Sequence, residues 1–212
     1  RRLLLESKIL YRALKLSEKI YDESMYGVDD LYRIKDIVHS VDENHWRSKE
    51  WLAKEFYKHY NNSDGKLLVV GGWYGMMAYQ LRQQWPNSSM NIQSTDMDPM
   101  CETYGWDLYG DQDISFFTLE AQDNIMADII DYTAIVNTSC EHMEQEDLLA
   151  LIKQKDDNTW VCFQTNDHKE LDVHINCWPN AEDFAVSLNL EYVAYTGSQK
   201  QAGFTRHMVI GK

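Results

Sequence analysis

The chain has 212 residues, 44% of them hydrophobic, and a formal net charge of −14, which allows one good-sized core in a single α/β domain. A surface that acidic repels polyphosphate unless the basic residues gather in one patch, and the sequence shows no such patch, so nucleic acid is disfavoured as a partner. No run of about 18 apolar residues occurs and Leu3–Leu5 is too short for a signal-peptide core, so neither a membrane span nor secretion has support.

Residues 1–60 read as a helical extension, a candidate lid, ahead of the main domain at 61–212. Leu4, Leu5, Ile9, Leu10, Ala13, Leu14 and Leu16 recur at helical spacing, and Trp51, Leu52, Phe56 and Tyr57 do so again. Asn61-Asn62-Ser63-Asp64-Gly65 breaks the pattern. Lys66–Val70 is then a short apolar strand ending in glycine, followed by a helix over Met76–Gln84.

After a polar turn at Pro86–Ser89, strands are predicted at Met90–Thr95, Ile114–Thr118 and Tyr132–Val136. A helix over Gln145–Lys155 leads to a strand at Thr159–Gln164, and a helix over Ala181–Leu188 leads to strands near Glu191–Thr196 and Thr205–Ile210. Alternating strands and helices imply a mostly parallel sheet with helices on both faces. The loop Gly197–Gly203 joining the last two strands is too short for a helical crossover, which makes them an antiparallel hairpin. The four cysteines, Cys101, Cys140, Cys162 and Cys177, form no C-x-x-C pair, which argues against a zinc knuckle or redox dithiol and for reduced thiols in a cytoplasm. The sequence begins at Arg1 rather than Met, leaving open what precedes it.

Leu67-Leu68-Val69-Val70-Gly71-Gly72-Trp73-Tyr74-Gly75 resembles the first motif of the class I S-adenosylmethionine-dependent methyltransferases, an apolar strand running into a G-x-G-x-G turn. Glycine serves there because the backbone turns sharply and approaches the cofactor without a Cβ in the way. Trp73 takes the middle glycine position, and Val69 stands where an acidic residue is common. The G-x-G-x-x-G of dinucleotide-binding proteins fails, since its second and third glycine positions are Trp73 and Met76.

Asp96 follows the second strand at the distance, about 20 residues past the glycine turn, at which such folds bind ribose hydroxyls. Asp98 is the alternative, and either carboxylate can instead cap the helix starting near Pro99. The resemblance places Met97 beside adenine, and it places Glu120 or Asp123, in an acidic loop after the third strand, at the adenine amino group. Ile135–Met143 resembles the fourth motif, at the end of a central strand beside the transferring methyl, with Asn137 among the cofactor contacts. Many family members carry a Glu-His pair there. The fold implied over residues 66–212 is Rossmann-like and seven-stranded.

Methyl transfer needs alignment, a dry site and a base where the acceptor carries a proton. A histidine is the side chain ordinarily suited to be that base at neutral pH, which makes His142 the candidate, and Glu141 can orient it or bind a cationic acceptor; the pair can also simply fix its loop. Gln164-Thr165-Asn166-Asp167-His168, Asp172 and His174 are candidates to line the acceptor pocket. They can also join His142 and Glu141 around a metal, but the spacing fits no named signature and no metal is expected. Trp46, Trp51, Trp73, Tyr74 and Trp178 can cage an acceptor or pack the core. Of these Trp73, inside the cofactor turn, is the candidate cover. Arg47 and Lys49 lie on a helix and can attract an anionic acceptor.

The leading expectation is an S-adenosylmethionine-dependent methyltransferase acting on a small molecule or a protein side chain. An RNA or nucleotide methyltransferase is the second reading. A non-catalytic binding protein that keeps the fold is the third, motivated by Trp73 and Val69.

Overall fold

The computed structural model describes residues 2–23, 28–119 and 129–212; Glu120 and Asp123 lie outside them. Three helices come first: α1 (Arg2–Glu23), α2 (Val28–Ser40) and α3 (Glu43–His59). The sheet strands are β1 (Lys66–Val70), β2 (Asn91–Asp96), β3 (Ile114–Thr118), β4 (Ala134–Asn137), β5 (Trp160–Asn166), β6 (Val193–Lys200) and β7 (Thr205–Gly211). Between them run α4 (Met76–Gln84), α5 (Pro99–Tyr109), α6 (Gln145–Gln154) and α7 (Ala181–Leu188). No helix among the described residues is long and apolar enough to cross a membrane.

The strands lie in the order β3-β2-β1-β4-β5-β7-β6. Strands β1 to β5 pair in parallel, and β7 runs antiparallel to both β5 and β6. This is the Rossmann-like seven-stranded sheet with a C-terminal hairpin. Successive strand residues point to opposite faces, and each face has its own core. Leu67 and Val69 join a core with residues of α1 to α5, whereas Leu68 and Val70 join one built with α6 and α7. Burial on both faces is why β1 reads as an unbroken apolar run.

Some boundaries differ from the sequence-based expectation. Strand β5 continues to Asn166 because its end pairs with Arg206 of β7. Strand β6 runs on to Lys200, paired with Thr205, so the hairpin connection is shorter than Gly197–Gly203. Tyr132 precedes β4, on the turn closed by its amide bonding to Ile129 O. On α1, Ile9, Ala13 and Leu16 are buried, but Leu10 and Leu14 are 48% and 53% exposed. The apolar stripe of that helix is wider than the surface it covers.

Strand β1 sits where the order reverses, with β2 on one side and β4 on the other. Its last residue, Val70, pairs with Thr95 of β2 and with Asn137 of β4. The register therefore brings the loops after these three strands together at one edge, the crevice where open α/β sheets bind ligands.

Candidate active site at the carboxyl ends of the central strands

The chain leaves β1 through three left-handed residues: Gly71 (φ 59°), Trp73 (φ 49°) and Gly75 (φ 100°). Glycine adopts such angles freely, but a tryptophan there is strained. The turn is held by Gly72 N–H to Thr95 O (2.9 Å), Gly75 N–H to Gly72 O (3.0 Å) and Trp73 N–H to Asp96 Oδ2 (2.8 Å). Gly72 has no room for a side chain, since a Cβ there would fall 2.0 Å from Ser94 Oγ.

The two candidate carboxylates separate cleanly. Asp98 caps α5, accepting from Met100 N–H at 2.9 Å, and is also bridged to Arg33 of α2, which donates to Tyr74 Oη at 2.9 Å. Asp96 instead accepts from Trp73 and, through Oδ1, from Asp98 N–H at 3.1 Å, and it faces the cleft. Burial pushes the Tyr74 hydroxyl up to about 12 despite Arg33, so Tyr74 works there as a neutral phenol.

A cleft of about 1280 Å³ opens at this edge. Gly71, Gly72, Trp73, Tyr74, Asp96 and Met97 lie along it, with Met97 71% exposed. Gly75 and Asn137 do not line it. Gly75 starts α4 instead, against Phe116, and the buried Asn137 folds the loop after β4 by accepting from Ser139 N–H (2.8 Å) and donating to Met143 Sδ (2.9 Å). Ser139 in turn donates to Gly71 O at 3.0 Å, tying that loop to the glycine turn.

The facing wall is made of Lys49, Glu141, His142, His174 and Arg206. Glu141 does not orient His142: its Oε1 accepts from Arg206 Nη1 at 2.5 Å, both groups being buried. Burial alone would raise the Glu141 carboxyl; Arg206 and His142 outweigh it and hold the pKa below its ordinary range. His142 is exposed, with Nδ1 3.0 Å from Val173 O. Burial lowers the His174 pKa. The Lys49 amine is drawn down to about 7, by burial first and then by the Arg206 charge, against the opposing pull of Glu141 and Asp42.

Of the cluster after β5, Asn166, His168 and His174 reach the cleft, whereas Gln164 bonds Ser48 and Thr165 donates to Asn176 O. Asp167 accepts from Thr205 N–H, and Asp172 does not line the cleft. Trp73 stacks on Tyr74 at 5.3 Å and meets His45 and His39 of the preceding helices edge-on. Trp46, Trp51 and Trp178 pack with the two cores, and Arg47 is absent from the cleft wall. Sequence reasoning missed Arg206 altogether, although a charge on the strand that leads into the apolar run Met208–Ile210 was a signal that it needed a buried partner. It noted Lys49 only as a basic residue, since nothing local marks its burial.

No family model matches the sequence, and no curated protein does. Solved structures do. A putative sarcosine dimethylglycine methyltransferase from Galdieria sulphuraria is 13% identical, with a TM-score of 0.61 over 80% of this chain and 86% of that one. The N-terminal domain of EvdMO1 with SAH bound is 10% identical, with a TM-score of 0.55 over 77% and 80% of the two chains. Coclaurine N-methyltransferase bound to N-methylheliamine and SAH is 11% identical, with a TM-score of 0.57 over 71% of this chain and 51% of that one. The chain has the fold of the class I S-adenosylmethionine-dependent methyltransferases.

Proposed function

We propose that the protein is an S-adenosylmethionine-dependent methyltransferase acting on a small molecule or a protein side chain. The observation that carries this reading is one cleft at the sheet's switch point that joins Asp96 and the glycine turn to a facing wall of Lys49, Glu141 and His142. The residues fit the cofactor. Each Asp96 oxygen accepts one backbone amide and keeps a lone pair for a ribose hydroxyl. Met97 offers an apolar surface for adenine, and the Gly71–Gly75 turn leaves its backbone open to a close approach. A cleft of about 1280 Å³ exceeds the roughly 300–1,000 Å³ of an ordinary small-molecule site, which leaves room for an acceptor beside the cofactor. The four cysteines are free, in keeping with a cytoplasmic protein.

When bound, the cofactor supplies an electrophilic methyl group on a sulfonium. The chain's own part is to align an acceptor against it, exclude water and take up a proton. Trp73, with His39 and His45 packed on it, roofs the turn and shields the reacting centre. Two groups of the facing wall can accept the proton. His142 donates through Nδ1 to a carbonyl and keeps Nε2 as an acceptor. Lys49, at about 7, holds a neutral fraction at physiological pH. Asp96 and the turn bind the cofactor whichever acceptor is used.

The test is titration calorimetry of S-adenosylmethionine and S-adenosylhomocysteine against the wild type and Asp96→Ala, with circular dichroism to check that both are folded. Binding by the wild type that weakens at least about tenfold in the variant is expected, because about 1.4 kcal/mol of lost ribose contact suffices for that factor. A folded wild type that binds neither compound ends the methyltransferase reading and leaves the non-catalytic one.

A further inference from the structure

Two adjacent side chains of one loop and a third from a distant segment meet at the acceptor wall of the cleft. Glu141 and His142 come from the loop after β4 and His174 from the segment after β5. One ligand atom from each lies within 4.8 Å of the other two. We propose that Glu141, His142 and His174 form a binding site for a divalent first-row transition metal of the zinc type, open to the cleft.

Each member is prepared as a ligand rather than as an ordinary surface group. His142 Nδ1 is 3.0 Å from Val173 O, and His174 Nδ1 is 2.8 Å from His168 O. A carbonyl only accepts, so both rings donate through Nδ1, and each in its neutral form leaves Nε2 with a free lone pair. An imidazole whose second nitrogen donates to a backbone carbonyl is the usual state of a metal-bound histidine. Two such rings stand side by side here, with centroids 4.7 Å apart and edge to face.

The third ligand gives an independent indication. Glu141 is 2% exposed, and while Oε1 is held by Arg206, Oε2 is buried with no hydrogen-bond partner. An unsatisfied buried carboxylate oxygen is costly unless something else completes it. A cation between Oε2 and the two Nε2 atoms would complete it. The exposed His142 ring is the one with freedom to close the spacing. Two imidazoles and one carboxylate suit zinc, iron, cobalt or nickel better than magnesium or calcium, and three protein ligands leave a coordination position for the cleft. Arg206 keeps Glu141 monodentate and adds a positive charge nearby, which favours moderate affinity.

A second group, His39, Asp42 and His45, is comparably close but is already satisfied. Asp42 Oδ1 accepts from the His45 amide and ring, and Oδ2 meets His39 Nδ1 at 2.7 Å. That carboxylate caps α3, and both of its oxygens already have partners, unlike the orphaned Oε2 of Glu141.

The metal site stands on its own geometry, while its role in function rests on the methyltransferase reading. There the open position would hold an acceptor oxygen against the methyl donor, and His142 would act as a ligand rather than as a base.

The test uses the full chain freed of metal by a chelator. Zinc chloride is titrated calorimetrically, and cobalt chloride serves as a visible-absorption probe of coordination. One zinc per chain is expected, with cobalt d–d bands that include nitrogen ligation. His142→Ala and His174→Ala should each weaken zinc binding by at least the about 10–100-fold that loss of a metal's supporting partner costs, and neither the exposed His142 nor the half-buried His174 belongs to a hydrophobic core, so the variants should fold. Binding that persists in the double variant, or that disappears instead in His39→Ala/His45→Ala, overturns the assignment. So does a folded wild type that takes up no zinc. Cofactor binding is not part of this readout, so failure here leaves the methyltransferase reading standing, and failure of that reading leaves the metal site standing.

Discussion

Lys49 keeps an amine in a place that costs the fold. It is 7% exposed, faces Arg206 as well as Glu141, and has its pKa drawn from 10.5 to about 7. Buried charges are retained at such expense mainly where chemistry needs them. The sign of the effect follows from proton counting. Below pH 7 the amine is charged both folded and unfolded, and the burial cost is at its largest. Between pH 7 and 10.5 the unfolded chain holds the proton and the folded one does not, so stability rises with pH; above 10.5 the cost has gone. At about 1.4 kcal/mol per pKa unit, a drop from 10.5 to about 7 puts the cost on the order of 5 kcal/mol. Lys49→Met should therefore raise the urea midpoint at pH 6 markedly, less at pH 8 and hardly at pH 10. An equal gain at all three values would mean that Lys49 stays charged in the fold. Asp96, the glycine turn and the Glu141-His142 pair were legible from the chain because each lies next to a strand end. The partner that defines their chemistry was not: Arg206 is 65 residues from Glu141 and reaches the same wall only through the pairing of β7 with β5.

At the level of elements, local pattern carried far where an element's reasons are local. β1, α4, β3 and α7 fall on their predicted bounds, since apolar runs, glycine and caps such as Asn180 before α7 are all near in sequence. The ends of β5 and β6 were not readable in this way, because each is set by hydrogen bonds to β7, whose register no local signal reports. The turn between β1 and α4 shows how tightly an element junction can be specified. Gly75 has φ 100°, and a Cβ there would fall 2.5 Å from the Phe116 ring, which β3 holds in the core. Gly75→Ala combines backbone strain with overpacking, for which a loss of about 2–4 kcal/mol is expected. Chemical denaturation measures it directly, and a loss under about 0.5 kcal/mol, the range of an ordinary surface change, would show that the ring moves aside freely.

Across the whole molecule, the helical segment ahead of the sheet shares its core with the sheet. Ile9 and Ala13 of α1, Ile37 of α2 and Leu52 and Phe56 of α3 belong to the same buried cluster as Leu67 and Val69 of β1 and Ile210 of β7. Salt bridges add to this, with Arg12 and Lys8 of α1 both on Asp111 beyond α5. Exposed pairs of that kind contribute little, so the coupling rests on apolar burial. A cover that opens as a unit would have to expose Leu52 and Phe56, each 0% exposed, to water every time. Motion that opens the cleft then falls to smaller parts, such as side chains on the cleft edge. Native-state hydrogen exchange at rising urea concentration tests this. Amides at the centres of α3 and β1 should exchange with the same free energy and the same denaturant dependence, because the same global unfolding exposes both. Exchange of α3 through a separate opening several kcal/mol cheaper would make residues 1–60 an independent lid, with access to the cleft governed by its unfolding rather than by the geometry of the cleft itself.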